Sequence, residues 1–202
     1  MRQIDLTAGR MYAMIAPDFG GAVLQLSIDG KNVLRMDKGK LGMANVLAGG
    51  IPVLFPFVSK SRNDEIKFGD VCCSMPMHGF VKDMPFEILR VWENGCELQM
   101  SSNQMTKRYY PFDFVLTLVY EIEEQCLKTT MRVRNDSNAV LPFAAGFHPF
   151  FLATDRTQTE FHFGLKECWD YLECDAQGNP RHGILEHDLC LSDEHDAVYW
   201  NG

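Results

Sequence analysis

The sequence has no excess of basic residues and no long apolar run. Nineteen lysines and arginines stand against 27 aspartates and glutamates, a net charge of -8 over 202 residues. A negative surface gains nothing from nucleic acid phosphates or from an anionic membrane. No apolar stretch approaches membrane-spanning length, and residues 1–21 contain no continuous apolar core of a signal peptide. We therefore expect a soluble cytoplasmic protein with a small, roughly neutral partner, and no binding to nucleic acid or membrane.

The cysteines and most of the histidines also lack the spacing of a structural or metal site. The seven cysteines form no CxxC pair, and Cys72 and Cys73 are adjacent, which suits neither a disulfide framework nor a zinc site. His182 and His187 have no regular metal-ligand spacing and no helix to present them. We expect free thiols in a reducing compartment and no bound metal.

Few segments show the signals of a helix. The apolar residues recur mainly at every second position. Residues 114–123 alternate between two faces, and residues 127–134 repeat the pattern after a short link. Asp29-Gly30 and Asn94-Gly95 each separate two strand-like runs, and both dipeptides favour a hairpin turn with positive φ. The sequence predicts antiparallel sheets in an all-β sandwich, with residues 1–202 forming a single domain.

One apolar segment does not resemble an ordinary strand. In Gly49–Asp64, Pro52 and Pro56 interrupt an apolar run, so the backbone must bend while it still carries buried side chains. We interpret the segment as a cavity wall. Lys60 and Arg62 follow the apolar part, and both are donors suited to sugar hydroxyls or to a phosphate.

Two histidines occur in similar local settings. His78 lies in Met77-His78-Gly79-Phe80, and His148 lies in Phe147-His148-Pro149-Phe150. Glycine and proline fix the backbone beside a histidine and let another group come close, which suits a ligand site. For either histidine alone, a core or loop residue whose ring nitrogen is satisfied by a neighbour is the favoured explanation, and the similar setting of the second histidine shifts this only modestly.

Four motifs in order resemble the aldose 1-epimerase, or galactose mutarotase-like, family. They are GGIPVLFPF (Gly49–Phe57), MPMHGFVKD (Met75–Asp83), YPFDF (Tyr110–Phe114) and GFHPFF (Gly146–Phe151). The resemblance covers about residues 20–151. It implies the family's super-sandwich of antiparallel sheets, which agrees with the period-two pattern.

The resemblance also implies a chemistry. His78 resembles the family histidine that contacts the sugar near its anomeric or ring oxygen, and His148 resembles the general acid toward the ring oxygen. The implied reaction interconverts the α and β anomers of an aldohexose or hexose phosphate by acid/base ring opening, without a cofactor. The family's sugar-binding arginine corresponds to Lys60, which keeps the charge and loses the planar fork. The other residues that we expect to bind the sugar are Arg62, Phe57, Lys82 and Phe150.

One family residue has no match. The family's general base is a glutamate in a late strand, farther beyond the second histidine than the 202 − 148 = 54 residues that follow His148. The glutamates of this tail lie in segments unlike that strand; they are Glu160, Glu167, Glu173, Glu186 and Glu194. The family sandwich is therefore expected to be shortened at its C-terminus, either in a short family member or in a fragment, and its open edges favour a homo-oligomer.

Three functional interpretations follow from these residues. The first is a mutarotase-type isomerase. The second is a carbohydrate-binding or sensing domain that has lost its base, and the third is a plain structural sandwich. Lys60, Arg62 and Lys82 could hold a phosphate as a cluster of point charges, although such side chains are more often merely solvated.

Overall fold

A computed structural model describes residues 1–43, 47–162, 167–184, 189–190 and 197–200. It consists of β-strands joined by loops and short 3-10 helices, so the all-β prediction is confirmed. The chain divides into two compact units, Met1–Leu152 and Ala153–Gly202. The expectation of one domain over the whole chain stays a prediction. No helix within the described ranges is long and apolar enough to cross a membrane.

The first unit begins with a four-stranded antiparallel sheet in the order β1-β2-β3-β4. Its strands are β1 (Ile4–Ala8), β2 (Met11–Ala16), β3 (Ala22–Ile28) and β4 (Lys31–Asn32). Buried and exposed side chains alternate along β1, as a half-buried strand requires. Asp29 and Gly30 both have positive φ, 51° and 73°, so the predicted turn is confirmed, although the returning strand is β4 and not Val33-Leu34.

Four short strands and a second sheet follow in the same unit. They are β5 (Val53–Leu54), β6 (Glu65–Phe68), β7 (Val71–Ser74), β8 (Glu87–Trp92), β9 (Gly95–Ser101), β10 (Phe114–Glu123), β11 (Cys126–Asn135) and β12 (Gly146–Phe147). The four long strands β8 to β11 form an antiparallel sheet in the order β11-β10-β9-β8. The hairpin predicted from the alternation of residues 114–134 is therefore confirmed as β10 and β11.

The turn predicted at Asn94-Gly95 is only partly right. A hairpin does join β8 to β9, but Trp92 pairs with Gly95, so Glu93 and Asn94 form the two-residue loop. Neither Asn94 nor Gly95 has positive φ. A Cβ at position 95 would lie 2.4 Å from the Trp92 ring, so that ring would have to move in any variant with a side chain there.

The core of this unit lies between the two sheets, where β10 packs against β1 and β2. The largest fully buried side chains include Tyr110, Tyr120, Phe55, Phe80, Phe86 and Phe114. Tyr120 donates a buried hydrogen bond of 2.7 Å to the Gly21 carbonyl, which ties β10 to the loop before β3. Burying such polar groups is tolerated because they are paired.

Within the described ranges, five 3-10 helices join the strands. They are Lys38–Lys40, Arg62–Asp64, Val81–Asp83, Thr106–Arg108 and Arg156–Gln158. Free thiols are found, as predicted, at Cys72, Cys73, Cys96, Cys126 and Cys168.

The second unit contains β13 (Glu160–Phe161), β14 (Glu167–Cys174), β15 (Pro180–Ile184), β16 (Leu189–Cys190) and β17 (Ala197–Trp200). β15, β14 and β17 form an antiparallel sheet in that order, and β13 pairs with β16. The β14–β15 turn is closed by Asp175, whose carboxylate accepts the backbone N–H groups of Gln177 and Asn179 at 2.9 Å each. This is the side-chain turn chemistry typical of aspartate.

Candidate functional site

The apolar segment Gly49–Phe57 lies between the two histidine segments and is bonded to both. On one side β5 pairs with β12, and the His148 N–H donates to the Pro52 carbonyl at 3.0 Å. On the other side Phe55 forms a parallel bridge with Gly79. The expectation that this segment forms a wall is consistent with the arrangement, because one stretch of backbone positions two histidines that are 70 residues apart in the chain.

Close backbone contact on the His78 side requires glycine at position 79. The Phe55 carbonyl accepts the N–H groups of Phe80 at 3.2 Å and Val81 at 3.3 Å. Gly79 has a φ of +74°, and a Cβ on it would lie 2.1 Å from the same carbonyl oxygen. A side chain at this position would therefore push the His78 turn away from the Phe55 strand.

His78 is held in an unusual backbone conformation by two hydrogen bonds. Its φ is 65°, in the left-handed region that costs a non-glycine residue roughly 1–2 kcal/mol. Its N–H donates to the Ser59 carbonyl at 3.0 Å, and its Nδ1 lies 2.9 Å from the Val58 carbonyl oxygen. A carbonyl only accepts, so we assign the proton to Nδ1. The neutral ring then presents Nε2 as an acceptor for a hydroxyl donor.

The His148 ring lies against two other rings. Its centroid is 5.4 Å from that of His78, with the planes at 72°, and 4.7 Å from that of Phe150, with the planes at 19°. The two imidazoles are therefore edge-to-face, and Phe150 is stacked on His148. A single sugar-sized ligand can contact both imidazoles at this separation.

This environment disfavours the charged form of His148. Burial lowers the pKa of His148 below its ordinary value of 6.5, and repulsion from His78 lowers this pKa further. A hydrogen bond to its own backbone acts in the opposite direction. The neutral imidazole therefore predominates at pH 7, and the imidazolium, when it forms, is a stronger acid than a solvated histidine.

The other residues expected to bind sugar lie in different surroundings. Phe57 is half-buried and packs against the main core. Lys60 is exposed, with its Nζ 4.0 Å from Oδ1 of Asp64. Arg62 begins a 3-10 helix, and its side chain lies outside the described part of the structure.

Lys82 does not join Lys60 in an exposed cluster. Its side chain is only 3% exposed, and its ammonium group is paired with the neighbouring Asp83 carboxylate. Lys82 also lines a small apolar pocket together with Phe19, Leu24 and Met36. Of the seven predicted residues, the structure thus brings together His78, His148 and Phe150.

The described glutamates of the tail lie beside histidines of their own unit. Glu160 Oε2 is 3.6 Å from His162 Nε2, and Glu167 Oε2 is 3.2 Å from His182 Nε2. The Glu173 side chain and all of Glu186 and Glu194 lie outside the described residues. Among the described residues, no carboxylate is hydrogen-bonded to the ring of His78 or His148.

Sequence reasoning missed one group that orients the site. The Val58 carbonyl fixes the His78 tautomer, and a backbone carbonyl leaves no signature in the identity of its residue. The stacking of Phe150 on His148 did have a signal, since the two rings are two residues apart in a short extended segment and side chains at that spacing share a face.

The chain matches known proteins along most of its length. The family model for aldose 1-epimerase matches residues 2–197. The plasmid and chromosomal LacX proteins of Lactococcus lactis subsp. lactis are each 28% identical to this chain over 109 residues, which is 51% of this chain and 36% of the LacX protein. The match thus spans only about a third of the length of these curated relatives.

Solved structures share the fold at lower identity. The Slr1438 protein from Synechocystis sp. PCC 6803 is 23% identical with a TM-score of 0.80, over 98% of this chain and 69% of that one. The galactose mutarotase related enzyme from Lactobacillus acidophilus is 20% identical with a TM-score of 0.80, over 94% of this chain and 65% of that one. These likenesses establish the galactose mutarotase-like fold, and the family-model match establishes that the chain belongs to the aldose 1-epimerase family.

Proposed function

We propose that this chain binds an aldose at His78 and His148 and interconverts its α and β anomers. The observation that carries the proposal is the pair of imidazoles 5.4 Å apart, one held at Nδ1 by the Val58 carbonyl and one with a lowered pKa. A titratable group with a shifted pKa that lies against a second titratable ring is typical of acid/base sites. Both residues lie in the motifs that carry the family resemblance.

The proposed reaction moves two protons and breaks one bond. The anomeric hydroxyl gives its proton to a base, and the C1–O5 bond breaks while the His148 imidazolium protonates O5. The product is the open-chain aldehyde. Rotation about C1–C2 and reclosure on the other face return both protons and give the other anomer.

In this proposal His78 receives a hydrogen bond from the sugar. Its Nδ1 is hydrogen-bonded to the Val58 carbonyl. Its Nε2 therefore accepts the hydrogen bond from the anomeric hydroxyl. We assign the base to none of the tail glutamates. If a carboxylate base is absent, the rate should fall by roughly 10²–10⁴ relative to a complete acid/base pair.

The direct test is mutarotation of freshly dissolved sugars. Polarimetry or NMR should record faster equilibration of α-glucose, α-galactose or a hexose 6-phosphate than in buffer. His148→Gln and His78→Gln should each return the rate toward that of buffer, with folding checked by circular dichroism. Equilibration at the buffer rate for all of these sugars would refute catalysis by this chain.

A second candidate is a carbohydrate-binding domain without turnover. It is favoured by the lack of a hydrogen-bonded carboxylate at either ring among the described residues. Calorimetry decides between the two, because saturable sugar binding that depends on His78, without mutarotation, supports the binding domain. Absence of sugar binding contradicts both functions.

A further inference from the structure

The outer edge of β11 (Cys126–Asn135) is open within the part of the chain that the structure describes. β11 is the terminal strand of its sheet, and among the described strands it pairs with β10 alone. It lacks several features that protect an edge strand, since it has ten residues, contains no proline and pairs with β10 without a bulge. A long, regular edge of this kind can add a strand from another chain.

Every second residue of β11 presents its backbone groups to the open edge. The two-residue loop Glu124-Gln125 makes Glu123 and Cys126 a hydrogen-bonded pair, and such pairs recur at every second position of an antiparallel ladder. The even-numbered residues 126–134 therefore bond to β10. The residues whose N–H and C=O groups point outward are Leu127, Thr129, Met131 and Val133. Their side chains share the half-buried side of β11 that faces the core.

An apolar groove of about 400 Å³ adjoins this side of the strand. Its lining residues are Met131, Val133, Phe143, Ala145, Gly146 and Phe147. The Phe143 side chain is partly exposed although its ring contacts that of Phe55 at 5.5 Å. Covering apolar surface is the dominant favourable term in most protein association. A strand added to β11 would therefore gain apolar contact as well as backbone hydrogen bonds.

The basic side chains of β11 disfavour most registers of pairing with a second copy. Two copies related by a two-fold axis pair antiparallel, with the same residue of each copy at the axis. With Thr130 at the axis, Lys128 of each copy lies opposite Arg132 of the other, and with Met131 there, Lys128 lies opposite Arg134. With Lys128 at the axis, the two copies of this lysine meet. Like charges directly opposite each other destabilise a sheet.

The register with Thr129 at the axis avoids these repulsions and joins complementary groups. Arg134 of each copy lies opposite Glu124 of the other, an exposed carboxylate for which the described residues provide no ion pair. Arg134 already pairs with Asp136, but a guanidinium has five N–H donors and can serve both carboxylates. On the core-facing side Leu127 lies opposite Met131, so the second copy brings an apolar side chain to the groove.

We propose that β11 is the interface of a homodimer in which two copies of this chain pair edge to edge about Thr129. The two four-stranded sheets then become one continuous sheet of eight strands. The occupant of the open edge is a second copy because this strand is complementary to itself in one register, in charge and in its apolar positions. The dimer is independent of the reaction proposed for His78 and His148.

Sedimentation velocity over a range of micromolar concentrations tests the proposal on the whole chain. The wild type should form a species of twice the 23.0 kDa chain mass. Glu124→Arg places two arginines opposite each other, and Arg134→Glu places two glutamates opposite each other, so each variant alone should dimerise about tenfold more weakly or worse. Glu93→Arg makes the same charge change in the exposed turn between β8 and β9, and this control should dimerise like the wild type.

An equimolar mixture of Glu124→Arg and Arg134→Glu should recover the dimer. Position 124 of each chain then faces the opposite charge at position 134 of the other, and a purely local effect of either substitution could not be repaired by mixing. Thr129→Pro removes an outward N–H at the axis and leaves the bonds to β10, so it should also weaken the dimer. Circular dichroism checks that each variant keeps its β structure.

Three outcomes would overturn the proposal. The first is a monomer at every concentration. The second is a dimer that Glu124→Arg and Thr129→Pro leave as stable as the wild type, because association would then use another surface. The third is a mixture of the two charge variants that stays as weakly associated as each variant alone, because the pairing of Glu124 with Arg134 across the axis would then be wrong.

Discussion

The imidazole of His78 lies edge-on to that of His148, with 5.4 Å between the ring centroids and 72° between the planes. Neither imidazole is positioned only by the segment of chain that carries it. Both depend on the Gly49–Phe57 segment, which bonds to the His148 backbone through the Pro52 carbonyl and to the His78 turn through the Phe55 carbonyl. The geometry of the pair is thus set by backbone contacts that few side-chain substitutions would alter.

The first prediction concerns the pH dependence of mutarotation. His148 must be protonated to act as the acid, and burial holds its pKa below 6.5. The fraction of the active form therefore falls as pH rises through and above that value, so kcat should decrease between pH 5 and pH 8. Stopped-flow polarimetry across this range measures it, and a kcat that still rises at the alkaline end of the range would exclude His148 as the acid.

The same shift predicts a pH dependence of stability. Because the folded-state pKa is depressed, the unfolded chain binds more protons between the folded pKa and 6.5, and stability rises with pH in that window. The contribution of His148 to the free energy of unfolding should be complete above pH 6.5 and should decrease as pH falls below that value. Urea titrations of the wild type and His148→Gln check this, since the difference between the two proteins should vary with pH in this window.

The third prediction is that Phe150 sets the environment of His148. Its ring is stacked on the imidazole at 4.7 Å and 19°, so Phe150→Leu should admit water to that face and raise the His148 pKa toward 6.5. The neighbouring titratable ring of His78 is retained in this variant. NMR titration of the imidazole signals measures the shift, with the exposed Phe151→Leu as control. An unchanged His148 pKa in Phe150→Leu would contradict this role.

The strands were largely predictable from the sequence, and the contacts of the site were not. β10 and β11 follow from the alternation of residues 114–123 and 127–134, a local signal. The two histidine segments were predicted to share a site only through their motifs and similar framing. Their actual meeting depends on β5, a strand of two residues that pairs with β12 across 92 positions, from Leu54 to Gly146. A strand of two residues is too short to show a periodic pattern in the sequence, so this pairing could not be predicted from it.

The burial of Lys82 was equally hard to predict. Lysine is almost never fully buried unless it is paired, and the partner here is the adjacent Asp83. Neighbouring charges of opposite sign are common on surfaces, so the dipeptide alone does not distinguish a buried pair from a solvated one. The three-dimensional packing of Lys82 against the apolar pocket that includes Phe19 makes that distinction.

The fourth prediction concerns the buried hydroxyl of Tyr120. Tyr120→Phe removes its 2.7 Å hydrogen bond to the Gly21 carbonyl and leaves that carbonyl without this partner. The free energy of unfolding should fall by about 1–3 kcal/mol, the cost of an unsatisfied buried group. Tyr12→Phe removes a hydrogen bond to Asp5 on the exposed side of its sheet and should cost less. Urea unfolding of both variants compares them, and equal losses would contradict the importance of burial.

The last prediction separates backbone strain from steric contact at the His78 turn. Gly79 and Gly69 have similar positive φ values, 74° and 60°, but a Cβ on Gly79 would lie 2.1 Å from the Phe55 carbonyl oxygen, whereas a Cβ on Gly69 would meet nothing within 4 Å. Gly69→Ala should therefore lose only the cost of left-handed backbone, roughly 1–2 kcal/mol. Gly79→Ala should lose more, because the Phe55 bridge must also open and the His78 ring must move. Urea unfolding measures the two losses, and NMR of the His78 ring detects the displacement. Equal losses, with the His78 signals unmoved in both variants, would show that the Phe55 carbonyl does not hold the turn in place.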